Sequence, residues 1–339
     1  MFLKKLLSLS FLFILLVGCS EGEDNQAVNV YTARLPELVQ PVFDAFTEET
    51  GIEVNSLYLG KGIVERLKQE DNITKADIVL VSDIGTLEDL KTHNLTQKIY
   101  SEEIVQNIPQ DYRDNDGQWV GLTRRIRMIA YAPDRVYKSS LSGYTSLGDP
   151  AFHGRVCSRS GQHPYNISMI AAYHIHHGDK KADQWLSGFK SNLALSPSGG
   201  DRDQIKLIAA GKCDIAPVNH YYYGKMQNNS DYKDILKAVK LLPISDMRGG
   251  AYANISGAVL SKYSDNTENA LKLLEFMSGE KGQKIFSEVD FELPVNPKTQ
   301  IQDDIVGGAE KNIKPIALTD IAKMRKDVLK KVYAISFDE

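Results

Sequence analysis

The ten residues PVNHYYYGKM, 217–226, set three phenols side by side: Tyr221, Tyr222 and Tyr223. A phenol has a pKa of about 10 and stays protonated in neutral water. A strongly charged cation inverts that preference and makes the phenolate a ligand. Hard oxygen donors select hard ions, and three phenolates carry the charge that neutralises Fe(III). Ca(II) and Mg(II) more usually take carboxylates and carbonyls, and Zn(II) takes His and Cys. Tyrosine clusters also pack in cores or stack on sugars, so the triplet alone leaves cation capture and packing both open. Asn219 suits a helix N-cap, with His220, Tyr221 and Tyr222 in the first turn. Adjacent phenols then diverge by about 100°, yet are long enough to meet on one ion above the positive helix end.

Such a site needs an address and a frame. Lys4 and Lys5 precede the apolar run LLSLSFLFILLVG, which reads as a secretory signal of residues 1–18, too short to span a bilayer. Its ending, LVGC, resembles a bacterial lipobox, which implies cleavage before Cys19, lipidation of that thiol and a polar tether over 19–27. Cleavage removes two lysines and no acid, moving the net charge from −4 to −6. A mildly acidic exported chain is a poor partner for nucleic acid. With Cys19 lipidated, Cys157 and Cys213 remain; an even pair in an oxidising compartment reads as one disulfide, the alternative being two buried free thiols. About 320 mature residues suggest two lobes.

The pattern over the first hundred residues alternates strand and helix at parallel-sheet spacing. AVNVYTA, IEVNSLYLG and ADIVLVS are predicted strands; LPELVQPVFDAFTEETG, KGIVERLKQE and DIGTLEDLKTHN are predicted helices. Ligands in such sheets sit beyond the carboxyl ends of strands, so residues 31–35, 58–61 and 82–85 should rim a cleft. WVGLTRRIRMIAYAPDRV is extended, with Arg125 and Arg127 on one face, and carries the chain into a second lobe. There GRVCSRS and LALSPS are predicted strands, PYNISMIAAYHIHHG a helix whose final histidines are solvated, and CDIAPV the strand before the tyrosines. GAYANISGAVLSKYS returns to the first lobe. The predicted fold is α/β and bilobal, periplasmic-binding-protein-like: 28–126 plus 255–300 form the first lobe, 127–254 the second, and 301–339 a C-terminal helical segment, with a strand hinge and a ligand cleft between the lobes.

VNVYTAR, FTEETGIEVN, GKGIVERLKQE, GDRDQIKLIAAGKCDIAPVNHYY and PVNP resemble the bacterial ferric-ion-binding proteins of iron ABC transporters, from about Val28 to Pro297. The most specific part is GKCDIAPVNHYY, where the family's paired iron tyrosines fall on Tyr221 and Tyr222; Tyr223 then packs. The family's third tyrosine opens a Y-N-x-S helix, here YNISM, and implies Tyr165. Cys157 and Cys213 match family members with a disulfide there. Arg34 and Arg125 match family arginines and are expected to hold an anion or stabilise phenolates. His163 and His220 flank the tyrosines, as surface residues or behind the ligands. The family often has a His or Tyr donor after the first strand, where this chain has Leu35 and Pro36, which bring no ligating side chain. Tyr58 and Glu65 are the other first-lobe candidates, with water, carbonate or another small anion completing the shell.

With the lipobox-like ending at Cys19, the expectation is a monomeric lipoprotein on the outer side of a bacterial membrane, periplasmic or at the cell surface. It would capture Fe(III), with carbonate as a candidate synergistic anion, and deliver it to an ABC permease. The missing first-lobe donor motivates the alternative, a binding protein for an organic or anionic solute of thiamine, polyamine or phosphonate type. No GxSxG, zinc-protease motif or Ser-His-Asp pattern is present, so an enzyme is not expected.

Overall fold

The computed structural model describes residues 27–244, 250–300, 306–313 and 316–339. The expected signal segment, Cys19 and all of the tether except Ala27 lie outside these residues. β1 (Val28–Thr32), α1 (Gln40–Thr50), β2 (Val54–Tyr58), α2 (Ile63–Glu70), β3 (Ile78–Val81) and α3 (Ile84–Thr92) follow in the predicted alternation. Gly51 ends α1 in the left-handed region, at φ 72°, where a Cβ would be strained. Next come β4 (Thr96–Gln97), α4 (Glu102–Asn107) and the long β5 (Val120–Tyr131). The chain continues through α5 (Pro164–His177), α6 (Asp179–Ser191), α7 (Asp201–Ala209), β6 (Ile215–Asn219), α8 (His220–Gln227), α9 (Lys233–Ala238) and β7 (Lys240–Leu242). It then forms β8 (Ala253–Ser261), α10 (Thr267–Ser278), α11 (Glu280–Asp290), β9 (Leu293–Pro294) and α12 (Leu318–Ala334).

β1 pairs in parallel with β2 and β3, so the loops after all three emerge at one edge. β8 runs antiparallel beside β3 and β5. Along β5 the partners change. Val120–Ile126 face β8, and Arg127–Tyr131 face β6. One strand thus belongs to both lobes, and Asn254 of β8 reinforces it. Its Oδ1 accepts from Ile84 N–H at the start of α3, and its Nδ2 donates to Ser168 of α5.

The cores explain why these segments take these forms. Phe43, Phe46, Ile78, Leu80, Leu260 and Leu273 close under the first-lobe sheet, with relative exposures of 1% or less. Cys157, Ile205, Cys213, Val218 and Tyr223 form a cluster of the second lobe. The α/β, bilobal architecture expected from the sequence is the one observed. Two predicted second-lobe strands are not. GRVCSRS and LALSPS reduce to isolated bridges, in which Val156 pairs with Leu193 and Ile215. The chain turns away after one pair because Ser158 is engaged by Asn166, while Leu195 faces solvent and precedes Pro197, which has no N–H for a ladder. Among the described residues no helix is long and apolar enough to cross a membrane.

Cys157 and Cys213 are disulfide-bonded across 56 residues of sequence. Closing a loop of that length stabilises by about 4 kcal/mol in the chain-entropy model. The double replacement Cys157→Ala, Cys213→Ala is expected to lower the unfolding free energy in urea by roughly that amount. A loss under about 1 kcal/mol would count against a constraint set by the loop.

Candidate functional site

Two helix N-termini meet at the cleft. His163 is the N-cap of α5, its side chain accepting from Tyr165 N–H, with Pro164 in the first turn. Pro at that position lacks only a donor the helix would leave orphaned. Asn219 is the N-cap of α8, but its side chain does not cap; Oδ1 accepts from Arg127 instead. Tyr165 and Tyr221 therefore stand in the first turns of two helices, and their hydroxyls are 3.3 Å apart. The rings of Tyr221 and Tyr222 are 4.2 Å apart between centroids. Tyr223 turns away: it is buried and donates to Val239 O at 3.0 Å, so it packs as expected.

Three guanidinium groups ring Tyr165. Arg125, Arg159 and Arg127 lie 4.9, 5.0 and 6.0 Å from its ring centroid. Arg125 is fixed by Ser256 Oγ and Ile255 O at 2.7 and 3.0 Å. Arg127 donates to Asp201, Asn166, Asn219 and Pro217 O. Asp201 opens α7, and its carboxylate also takes Arg159 and the Asn219 N–H, at 3.2 and 2.8 Å. Burial opposes its ionisation, but Arg127 and Arg159 outweigh that, and its pKa falls below the ordinary carboxylate value. Arg202 stacks over Tyr222 at 5.3 Å.

Burial raises Tyr221 well above the usual phenol pKa, with Tyr165 and Tyr222 adding to the rise and Arg125 opposing it. Tyr222 is raised as well, by burial and then by Tyr165. Burial thus favours the neutral phenols of Tyr221 and Tyr222 at neutral pH. His220 is buried rather than superficial, its Nδ1 accepting from Ile126 N–H; burial lowers it to about 4. His163 drops to about 3, by burial and then by Arg159. His174, expected to be solvated, is 2% exposed and bonded to Asp179. It lies on the α5 face covered by the rest of the lobe, which the late position in the helix does not reveal.

Across a cleft of about 810 Å³, Arg34, Leu35, Tyr58, Lys61, Glu65, Ser82 and Asp83 face Tyr165, Tyr221 and Tyr222. Each of the three predicted rim loops contributes. Arg34 is 2% exposed and pairs with Glu292 at 2.9 Å and Asp290 at 3.9 Å. Its Nε and Nη2, the edge that grips a carboxylate in bidentate fashion, have no hydrogen-bond partner. Arg34 and Arg125 hold Glu292 below the ordinary carboxylate pKa despite burial, whereas burial pushes Asp290 up to about 7. Among the described residues no three His, Cys, Asp or Glu side chains gather as a metal site. Arg159, Arg202, Asp201 and Glu292 were not singled out from sequence. Their only signal is proximity to motif residues, since partners such as Arg127 for Asp201 and Thr123 for Glu292, 74 and 169 positions away, are brought to them only by the fold.

Removing one partner of a buried ion network strands the others. Asp201→Ala leaves Arg127 without its ion pair in the core. The expected loss is about 3 kcal/mol or more in urea unfolding, and a loss below about 1 kcal/mol would contradict the role of this carboxylate.

Residues 73–314 match the model of a bacterial extracellular solute-binding protein family. The chain is 33% identical to iron uptake protein A1 of Synechocystis over 294 residues, 83% of this chain and 81% of that protein. It superposes on apo ferric ion-binding protein A of Pasteurella haemolytica with a TM-score of 0.87 at 41% identity, covering 93% of this chain and 99% of the other. The ferric binding protein of Campylobacter jejuni gives a TM-score of 0.85 at 30% identity, with coverage of 91% and 99%. The chain belongs to the bacterial extracellular solute-binding proteins and is similar to ferric-ion-binding members among them.

Proposed function

We propose that the chain captures ferric ion in the cleft through the phenolates of Tyr165, Tyr221 and Tyr222, and releases it to an ABC permease without turning anything over. The observation that carries this reading is the convergence of phenol oxygens above two helix N-termini, with Tyr165 and Tyr221 hydroxyls 3.3 Å apart. Three phenolates neutralise a trivalent ion, and Arg125, Arg127 and Arg159 stabilise the charge around Tyr165. On the first-lobe side, Arg34 lines the cleft and is the cation that would meet a small planar anion such as carbonate, which would complete the shell where Leu35 offers no donor. The lobes read from sequence, 28–126 with 255–300 and 127–254, close on the ion about β5, whose partners change at Ile126. Signal cleavage and lipidation at Cys19 would hold the monomer on the outer side of the membrane.

Loading with a ferric chelate is expected to give a red or purple protein by phenolate-to-iron charge transfer. A colourless, iron-free product after loading would sink the proposal, and stabilisation by thiamine, polyamines or phosphonates in a thermal-shift screen would favour an organic solute instead. Tyr165→Phe, Tyr221→Phe and Tyr222→Phe should each weaken binding by more than about tenfold, the scale already reached when groups behind a ligand are lost.

Each phenol loses its proton on loading, so protons compete with the ion. Affinity therefore falls as pH falls. An iron-release titration that is flat between about pH 8 and about pH 5, well below the ordinary phenol pKa, would speak against phenolate ligation.

A further inference from the structure

The turn Arg159–His163 supplies Arg159 to the ring of Tyr165 and His163 to the cap of its helix. On its inner side Asn166 Nδ2 donates to Ser158 Oγ, Arg159 O and Ser160 O, at 3.0, 3.0 and 3.1 Å. On its outer side the turn is held by residues more than 170 positions away. Ser160 Oγ and Gly161 N–H donate to the two carboxylate oxygens of Asp338, at 2.6 and 2.7 Å. Tyr333 Oη donates to Gln162 Oε1 at 2.8 Å. Phe337 is 1% exposed and packs so closely that a Cβ on Gly161 would lie 2.5 Å from its ring. The segment is itself anchored, since Lys190 Nζ donates to Phe337 O and Glu339 O.

We infer that Asp338 is a positioning residue of the cleft, holding the Arg159–His163 turn, and through it Tyr165, in the geometry that a bound ion requires. The inference rests on the ferric reading above. A binding group must stay within about 0.5 Å of its productive position, which demands support from residues behind it. Asp338 is suited to that role. It engages a backbone N–H and a side-chain hydroxyl of the same turn with both carboxylate oxygens, and these bonds are charge-assisted. Asn166 fixes the turn from inside the lobe, so loss of Asp338 would loosen the turn without unfolding it. The same helix meets the first lobe, where Arg325 pairs with Asp89 at 3.0 Å. The segment after α12 therefore links the phenol site to a helix that touches both sides of the cleft.

The test measures ferric affinity by chelator competition, the charge-transfer maximum and the thermal midpoint, for the full chain and for Asp338→Ala, Ser160→Ala and the double variant. Lys331→Ala is the control: Lys331 ties α12 to Asp183 of α6 at 2.7 Å and does not touch the turn. Asp338→Ala is expected to weaken binding about threefold to tenfold, part of what a charge-assisted hydrogen bond is worth, and to shift the charge-transfer band. Ser160→Ala should act in the same direction, and the double variant should be no worse than Asp338→Ala, because both remove one linkage. Lys331→Ala should change the thermal midpoint and leave affinity and colour alone. Unaltered affinity and band in Asp338→Ala overturn the inference, as does an equal change in Lys331→Ala. Should Asp338→Ala fail to fold, Ser160→Ala decides by the same two readouts. A wild-type chain that takes up no ferric ion overturns the reading of the cleft and this inference with it; normal wild-type uptake with an unchanged Asp338→Ala overturns the inference alone.

Discussion

The carboxylate of Asp201 is the point on which the second lobe's half of the cleft depends. It has no solvent exposure and binds Arg127 of β5, Arg159 of the turn before α5, and the backbone N–H of Asn219 at the end of β6. Two guanidinium groups in an interior repel each other and lose hydration, and a shared carboxylate offsets both effects only when the geometry is close. The observed contacts, 2.8 to 3.2 Å, meet that condition. One anion thereby fixes the positions from which α5 and α8 start, and these helices carry Tyr165 and Tyr221. The separation of their hydroxyls is set by an ion pair placed behind them.

The first lobe contributes charge where the second contributes phenols. Glu292, Arg34, Asp290 and Lys225 form a largely buried chain of acid and base in that order, with Lys225 reaching Asp290 from α8 at 3.1 Å. This chain crosses from the helix of the tyrosines to the end of α11, so the lobes are coupled by electrostatics close to the site as well as by β5. Arg34 is held by Glu292 through Nη1 and lies beside Asp290 through Nη2.

The sequence made the local features legible. Alternation of strand and helix, the cleft rim at the ends of β1, β2 and β3, the shared face of Arg125 and Arg127, and the inward packing of Tyr223 all follow from periodicity or from a motif. Tyr165 was legible only through family resemblance, because nothing in YNISM itself indicates a partner 56 residues away. Asp201 was illegible for a different reason. An acid in the first turn of a helix ordinarily serves the helix dipole at the surface, and GGDRD fits that bland description until tertiary structure brings two arginines to it. The two lost strands have a similar cause: Val156 has the right propensity, but Ser158 and Asn166 compete for the backbone that a longer ladder would need. Asp338 lies beyond the span of the resemblance and beyond any motif.

Three adjacent tyrosines divide their tasks because a helix gives them no common face. At about 100° per residue, a turn that aims Tyr221 and Tyr222 at the cleft must aim Tyr223 back into the lobe. There it donates to Val239 O and packs in the cluster that contains the Cys157–Cys213 disulfide. Tyr223 thus fixes the rotation of α8 about its axis, while the Asp201 contact to Asn219 fixes its start. Rotation and origin together determine where two phenol oxygens lie. The triplet is therefore one packed anchor, Tyr223, and two neighbouring phenols, Tyr221 and Tyr222, that line the cleft.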